Sequence, residues 1–473
     1  MMNAGLVPAE FIIHSSAFCI PMRIARFFQL EAHGTTVRRE VLGGITTFLA
    51  MSYIIFLQPG LLSQAGMDFR AVMYATCLSA ALATFLMGLL ANYPVALAPG
   101  MGENFFFVYT LCGVAPLGFG LTWQQALAAV LVAGVFFILL TLSGIRSKII
   151  DSIPHSLKCG IAAGIGLYIT FIGLEYGNLV VSSPATLVHL GDFRQPVALV
   201  SVLGLLVMIV LLAYRVRGAI LVGILATTAI AAGFGMVHYR GVFSADFDLT
   251  PTFWKFDLRG LLGVHPATLA AAIFVLLYLA LFDTVGTLVG VGQQAGLLRA
   301  GKLPRSGQAL FSDAVGTTAG AALGTSTVTA YIESAAGVSD GARTGLANMV
   351  TGLLLLAAMF FSPLASMIGG GVTVGADAAN NPIVRYPTLA PALIVVGAMM
   401  LKVVRELEWE EPTEYLPAFL TLVAIPLTFS IASGIAFGFI SYAVGKLATG
   451  RWRECPALTY VFAVLFVVQF LVL

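Results

Sequence analysis

The sequence predicts an all-α, polytopic membrane protein: fourteen transmembrane segments in a 7+7 inverted repeat, with two short β-strands at the bilayer midplane. Three observations predict it. The 473-residue chain is 59% hydrophobic and 10% charged, against roughly 25% charged in a soluble globular domain. Its apolar runs separate into fourteen segments whose flanking Lys and Arg gather on one side. A pattern from the first half of the chain returns in the second at a nearly constant offset.

With so little polar surface, most side chains must face lipid or other helices. A net charge of +2 gives no electrostatic reason to expect nucleic acid. Cys19, Cys77, Cys112, Cys159 and Cys455 are scattered, with no C-x-x-C and no histidine at metal spacing, so neither a disulfide frame nor a metal site is expected. Residues 1–30 form an N-terminal lead. Its apolar stretch precedes Arg23 and Arg26, the reverse of a signal peptide. Met22 is therefore expected to be the true start, the alternative being a real ordered extension.

The segments lie near 41–62, 71–92, 95–110, 124–143, 157–176, 196–214, 218–237, 267–291, 308–323, 326–338, 345–363, 388–403, 415–430 and 433–448. With the N-terminus inside, the inner loops hold 18 of the 24 basic residues and the outer loops 6. That is the positive-inside bias, and the opposite orientation would destroy it. The tail at 451–473 is apolar from Pro456 onward. It either lies in the interface or adds a fifteenth crossing.

Ser63-Gln64-Ala65-Gly66 returns as Gln293-Gln294-Ala295-Gly296, an offset of 230. The same offset places Glu103 on Glu333 and Asn104 on Ser334. Pro154 meets Pro387 and Gly164 meets Gly397 at 233. Residues 31–240 then form one repeat, 241–266 an external connecting loop, and 267–450 the second repeat. Seven spans per repeat invert the second half, as in many secondary transporters.

The third and tenth segments are poor helices. Pro94 to Gly102 carries two prolines and two glycines, and Gly324 to Thr329 is rich in β-branched and hydroxyl side chains. Each reads as an extended stretch leading into a half-helix. Irregular backbone at membrane depth must be buried in protein or line a cavity, so the two stretches are expected to pair. Thr325 and Ser326 then border the cavity. Three carboxylates fall there: Glu103 and Glu333 in the first turns of the half-helices, and Asp283 in the eighth span. An acid in a membrane span is a functional candidate. The competing reading is helix capping, worth about 0.3–1 kcal/mol. A carboxylate accepts two adjacent N–H donors, as on the edge of a nucleobase, and can also take up a proton. Phe105, Phe106, Phe107, Phe282 and Tyr331 are candidates to stack on a flat ring, or else plain core aromatics. Asp313 has either a helix-contact or a proton-path role. Gly160/Gly164 and Gly434/Gly438 suit close helix packing. The stretches Gly369–Gly371 and Asn380-Asn381-Pro382 mark a flexible external loop.

Gly34 to Glu40, Ala98-Pro99-Gly100-Met101-Gly102, Phe282 to Thr287 and Gly324 to Ser334 together resemble the azaguanine-resistance-type purine permeases of the nucleobase–cation symporter (xanthine/uracil permease) family. The resemblance runs from about Phe27 to Arg453. It implies core and gate domains, a cell inner-membrane location, dimers through the gate, and proton-coupled uptake of adenine, guanine or hypoxanthine, with Na⁺ as the alternative ion. It implies no other cofactor and no enzymatic activity. By motif position, Asp283 and Glu333 become the binding and proton-coupling acids, and backbone around Gly102, Asn104, Phe105 and Ile332 completes the contacts to the base. One departure stands out: the usual APGMGLNAFF reads APGMGENFFF here, with Glu103 and Phe105 at the changed places. The alternatives are a xanthine/uracil-type carrier, an anion carrier of the same architecture, and an intramembrane enzyme. The last lacks any H-E-x-x-H or G-x-S-x-G motif.

Overall fold

The computed structural model describes residues 23, 25–113, 118–143, 154–183, 185–298, 303–376 and 382–472. The expected start at Met22, and Asn380-Asn381, lie outside these described residues. In the first half, α1 (Val37–Met51) and α2 (Ile54–Leu62) make the first span and α3 (Phe69–Leu86) the second. β1 (Leu97–Pro99) with α4 (Met101–Phe105) makes the third, followed by α5 (Trp123–Leu142) and α6 (His155–Tyr176). A hairpin of β2 (Val180–Ser183) and β3 (Leu187–Leu190) leads to α7 (Pro196–Ala213) and α8 (Ala219–Gly233). The second half runs through α9 (Leu258–Leu262), α10 (Pro266–Gln294), α11 (Ser306–Leu323), β4 (Val328–Ala330), α12 (Ser334–Ser339), α13 (Gly345–Ala358) and α14 (Ser362–Ile368). It ends with β5 (Val372–Ala376), β6 (Pro382–Arg385), α15 (Ala390–Met400), α16 (Pro412–Thr428), α17 (Ile431–Ala448) and α18 (Ala457–Val472).

Eight helices among the described residues are long and apolar enough to cross a bilayer. Of the other expected spans, the ninth forms an 18-residue helix rich in Gly, Ser and Thr, and the rest are shorter, the third and tenth most of all. Helix contacts sort the chain into two bundles. α1 to α5 pack with α10 to α13 as a core, and α6 to α8 pack with α15 to α17 as a gate.

The core is organised around the broken spans. β1 and β4 pair antiparallel, Leu97 opposite Ala330, Ala98 opposite Thr329 and Pro99 opposite Val328. A two-fold axis in the membrane plane exchanges two strands only when they run antiparallel, so this pairing is the one an inverted repeat gives. Thr84 of α3 brackets Leu97, donating to its carbonyl at 3.0 Å and accepting from its N–H at 2.9 Å. Thr317 of α11 does the same to Val328, at 3.0 and 3.1 Å. The recurring motif also folds alike in both halves. Gly66 N–H reaches Ser63 O at 3.0 Å and Gly296 N–H reaches Gln293 O at 3.1 Å. Both glycines are left-handed, at φ 89° and 70°, where a Cβ costs roughly 1–2 kcal/mol.

Three expectations are refined. The loop after Gly369–Gly371, expected to be flexible, contains the β5–β6 pair, because Val372, Val374, Ile383 and Val384 favour extended backbone. The C-terminal tail forms α18, 16 residues and so about 24 Å long. Its Phe462 and Phe466 pack on Phe274 of α10 and Phe439 of α17, with ring centroids 4.8–5.8 Å apart. The small residues of the gate do zip helices: a Cβ on Gly164 would lie 2.7 Å from Ile425 Cδ1, and one on Gly160 2.7 Å from Ala418 O.

Glu40 ties the ends of the core together. It is fully buried in α1, and its carboxylate accepts the N–H groups of Arg343 at 2.8 Å, Thr344 at 3.3 Å and Ala347 at 3.2 Å. It thus satisfies the open N-terminus of α13 from a different helix. Glu40→Ala strands those donors and is expected to destabilise the core by about 2 kcal/mol. Thermal unfolding in detergent reads this, and an unchanged midpoint contradicts the capping role.

Candidate functional site

The two broken spans and the eighth span converge on one polar cluster. Asp283 of α10 accepts a hydrogen bond from Thr329 Oγ1 at 3.0 Å, which joins it to β4. The next residue, Thr284, donates to the buried Asp313 of α11 at 2.7 Å. Ser326 donates to Asn104 Oδ1. Gln58 of α2 donates to Thr325 Oγ1 at 2.9 Å and Ser326 Oγ at 3.1 Å. Just beyond β4, Glu333 Oε1 accepts from Tyr53 at 2.6 Å. Tyr331 donates to Pro99 O at 2.5 Å, with its ring 6.3 Å from that of Tyr53.

Several buried polar atoms at this junction have no partner: Gln58 Oε1, both carboxylate oxygens of Glu103, and Thr327 Oγ1. Leaving a buried polar group unpaired costs about 1–3 kcal/mol. Four such atoms, two of them on Glu103 itself, together with Asp283 and Glu333 suit a small ligand that carries hydrogen-bonding groups of its own.

The sequence-predicted residues are distributed as follows. Glu103, Asn104, Thr325 and Ser326 are buried together, with Asp283 reached through Thr329. Glu333 occupies the N-cap of α12, one residue ahead of the first turn. The half-helices are short: α4 has five residues and continues as a π-turn over Phe106–Leu111, and α12 has six. Their dipoles are correspondingly smaller than full half-helices would give. Phe105 lies parallel to Tyr109, with centroids 6.1 Å apart, and edge-on to Tyr168 at 5.8 Å. Phe106 and Phe107 belong to the apolar core. Gly102 faces Ile165 of the gate, where an added Cβ would meet Ile165 Cγ2 at 3.2 Å. The Ile332 side chain is 48% exposed, so only its backbone is available to the cluster. Phe282 lies in α10, and its side chain is outside the described residues.

Sequence reasoning missed Tyr53 and Gln58. Tyr53 sits at an interruption between α1 and α2, and no Pro or Gly flags that break. It also missed a contact between core and gate. Gln64, beyond α2, donates to Tyr176 at the end of α6 and accepts from Tyr109 at 3.0 Å. The two tyrosine hydroxyls are 3.2 Å apart. Tyr386 packs its ring 4.8 Å from that of Tyr176. A cavity of about 590 Å³ lies beside this latch, lined by Ser63, Asp68, Arg70, Arg240 and Tyr386 among others. The equivalent pair at the opposite end, offset by 230, is Gln294 donating to Ser339 at 2.9 Å, and it is exposed. One further group corrects the expectation of no histidine at metal spacing. His155 and Cys159, one helical turn apart on α6, meet Glu406, with His155 Nε2 3.6 Å from Cys159 Sγ and 3.6 Å from Glu406 Oε2. His155 and Glu406 are both exposed, and exposed groups of this kind commonly approach one another without a metal.

Comparison with known proteins agrees with this architecture. The family model described as a permease family, that of the xanthine/uracil permeases, matches residues 38–437. The guanine/hypoxanthine permease PbuO of Bacillus subtilis is 41% identical over 94% of this chain and 100% of its own length. The adenine permease AdeQ of Escherichia coli is 42% identical over 94% of this chain and 96% of its own. Among solved structures, the transmembrane domain of a cyanobacterial bicarbonate transporter, BicA, superposes with a TM-score of 0.61 at 16% identity, covering 85% of this chain and 97% of that one. That likeness concerns the fold. On the family match and the full-length relatives, the chain belongs to the xanthine/uracil permease family, as a multi-pass membrane permease.

Proposed function

We propose that the protein is a secondary active transporter, without enzymatic activity, that brings a purine base (adenine, guanine or hypoxanthine) across the cell inner membrane together with H⁺. The observation that carries this reading is the set of unpartnered polar atoms on Gln58, Glu103 and Thr327 near Asp283 and Glu333. The names of relatives above 40% identity across their full lengths supply the substrate class. Glu333 spends one oxygen on Tyr53 and offers the other to adjacent N–H donors on the base. Asp283, held by Thr329, takes the coupling proton. The side chains of Asn104, Thr325 and Ser326, with the backbone of Gly102, Phe105 and Ile332, complete the pocket. With the N-terminus in the cytoplasm, the side that the Lys and Arg distribution favours, and repeats at 31–240 and 267–450, the Gln64–Tyr176 latch is external. Core and gate rock against each other across the pocket, and two copies associate through the gate. An anion carrier of the same fold would want positive charge at the broken helices. The acids here oppose that reading, and uptake of labelled sulfate in place of purine would favour it.

Glu333→Gln is expected to abolish purine uptake in cells deleted for their own purine permeases, while the protein still reaches the membrane. Uptake at the wild-type rate contradicts the assignment. The latch yields a second expectation. Gln64→Leu removes the side chain that joins Tyr109 to Tyr176 and should raise the external maleimide labelling of Cys112, a partly buried thiol at the end of the third span, by several-fold. An unchanged labelling rate in intact cells means the contact does not hold the outer side shut.

A further inference from the structure

We propose that Glu103 is a second proton carrier, so that two protons enter with each base. This rests on the proton-coupled reading above and adds a count to it. Glu103 is 1% exposed, and neither carboxylate oxygen has a hydrogen-bond partner. An ionised carboxylate held in that state costs several kcal/mol, so in this conformation Glu103 keeps its proton. Its titratable neighbours are Asp283, Asp313 and Tyr331, which bring no positive charge. Lys446 is the buried lysine among the described residues, and it is engaged with Glu414 at 2.8 Å. From the gate, Ile165 presents only an apolar side chain next to α4.

The neighbouring hydroxyl sharpens the point. Thr329 Oγ1 and Glu103 Oε2 flank the same spot beside Gly100: a methyl group there would lie 2.6 Å from Thr329 Oγ1 and closer still to Glu103. Thr329 has one proton to donate, and Asp283 receives it at 3.0 Å. Glu333, at the repeat-related position 230 residues on, has Tyr53 as its donor. Glu103 has none and must supply its own proton. When the site opens outward, water delivers H⁺ to a Glu103 oxygen and an O–H bond forms. When it opens inward, that bond breaks and H⁺ passes to cytoplasmic water. No other group is consumed.

The test uses the full chain in proteoliposomes, with a gradient of one pH unit and the membrane potential clamped at zero. Accumulation of labelled adenine and of labelled guanine is measured at equilibrium. Each coupled proton multiplies accumulation about tenfold per pH unit, so two protons give about 100-fold and one about 10-fold. Wild type is expected near the higher ratio, with Glu103→Gln and Glu103→Leu near the lower. A purely structural role for Glu103 changes rate but leaves the ratio unmoved. A wild-type ratio near the lower value overturns the proposal even if neither variant folds, and so does a variant that keeps the higher one. Exchange of labelled base with no accumulation under the gradient sinks proton coupling itself.

Discussion

A backbone that leaves helical geometry inside a membrane must find hydrogen bonds elsewhere in the protein. In this chain the two places where it does so satisfy each other. β1 and β4 pair antiparallel, and Thr84 and Thr317 close the ladder from the flanking helices. Everything at the centre hangs on that ladder. It sets where α4 and α12 begin, hence where Glu103, Asn104 and Glu333 stand. It also carries Thr329, through which Asp283 is held.

The duplication makes a symmetric frame, and the side chains within it depart from that symmetry. Glu103 and Glu333 are repeat-related, yet one is bare and the other is bonded to Tyr53. Gln64 and Gln294 are repeat-related, yet the first reaches across to the gate through Tyr176 while the second bonds only Ser339 within the core. A transporter needs two near-equal conformations that differ in which side is open, and an inverted repeat supplies them. The side chains that differ between the repeats make the two ends of the frame unequal. Arg217 and Asp340, paired at 2.8 Å, add a further link between gate and core. α18 packs on α10 and α17 together and so touches both bundles.

Much of this was legible in the sequence because the relevant signals are local or periodic. Pro94, Pro99 and the hydroxyl run at Thr325–Thr329 announce non-helical backbone, and the fixed offset pairs them. Asp283 and Glu333 stand out because acids are costly in lipid. What escaped is what depends on contacts between distant segments. Nothing around Tyr53 marks a helix break, and Gln58 lies in an apolar run that gives no hint of its reach to Thr325. Glu40 looks like an ordinary residue at the start of a span, and only the fold reveals that it caps α13. His155, Cys159 and Glu406 are separated by some 250 residues of chain between α6 and the turn after α15. Their meeting could not be read from spacing alone.

The ligand is expected to sit at the crossing of the two broken spans. A cryo-EM structure of the protein with adenine or guanine bound tests it most directly. Density for the base is expected against the β1–β4 pair, with one edge facing Glu333. Ordered density for the base elsewhere, such as the cavity beside Arg70 and Arg240, with the crossing empty, would contradict it.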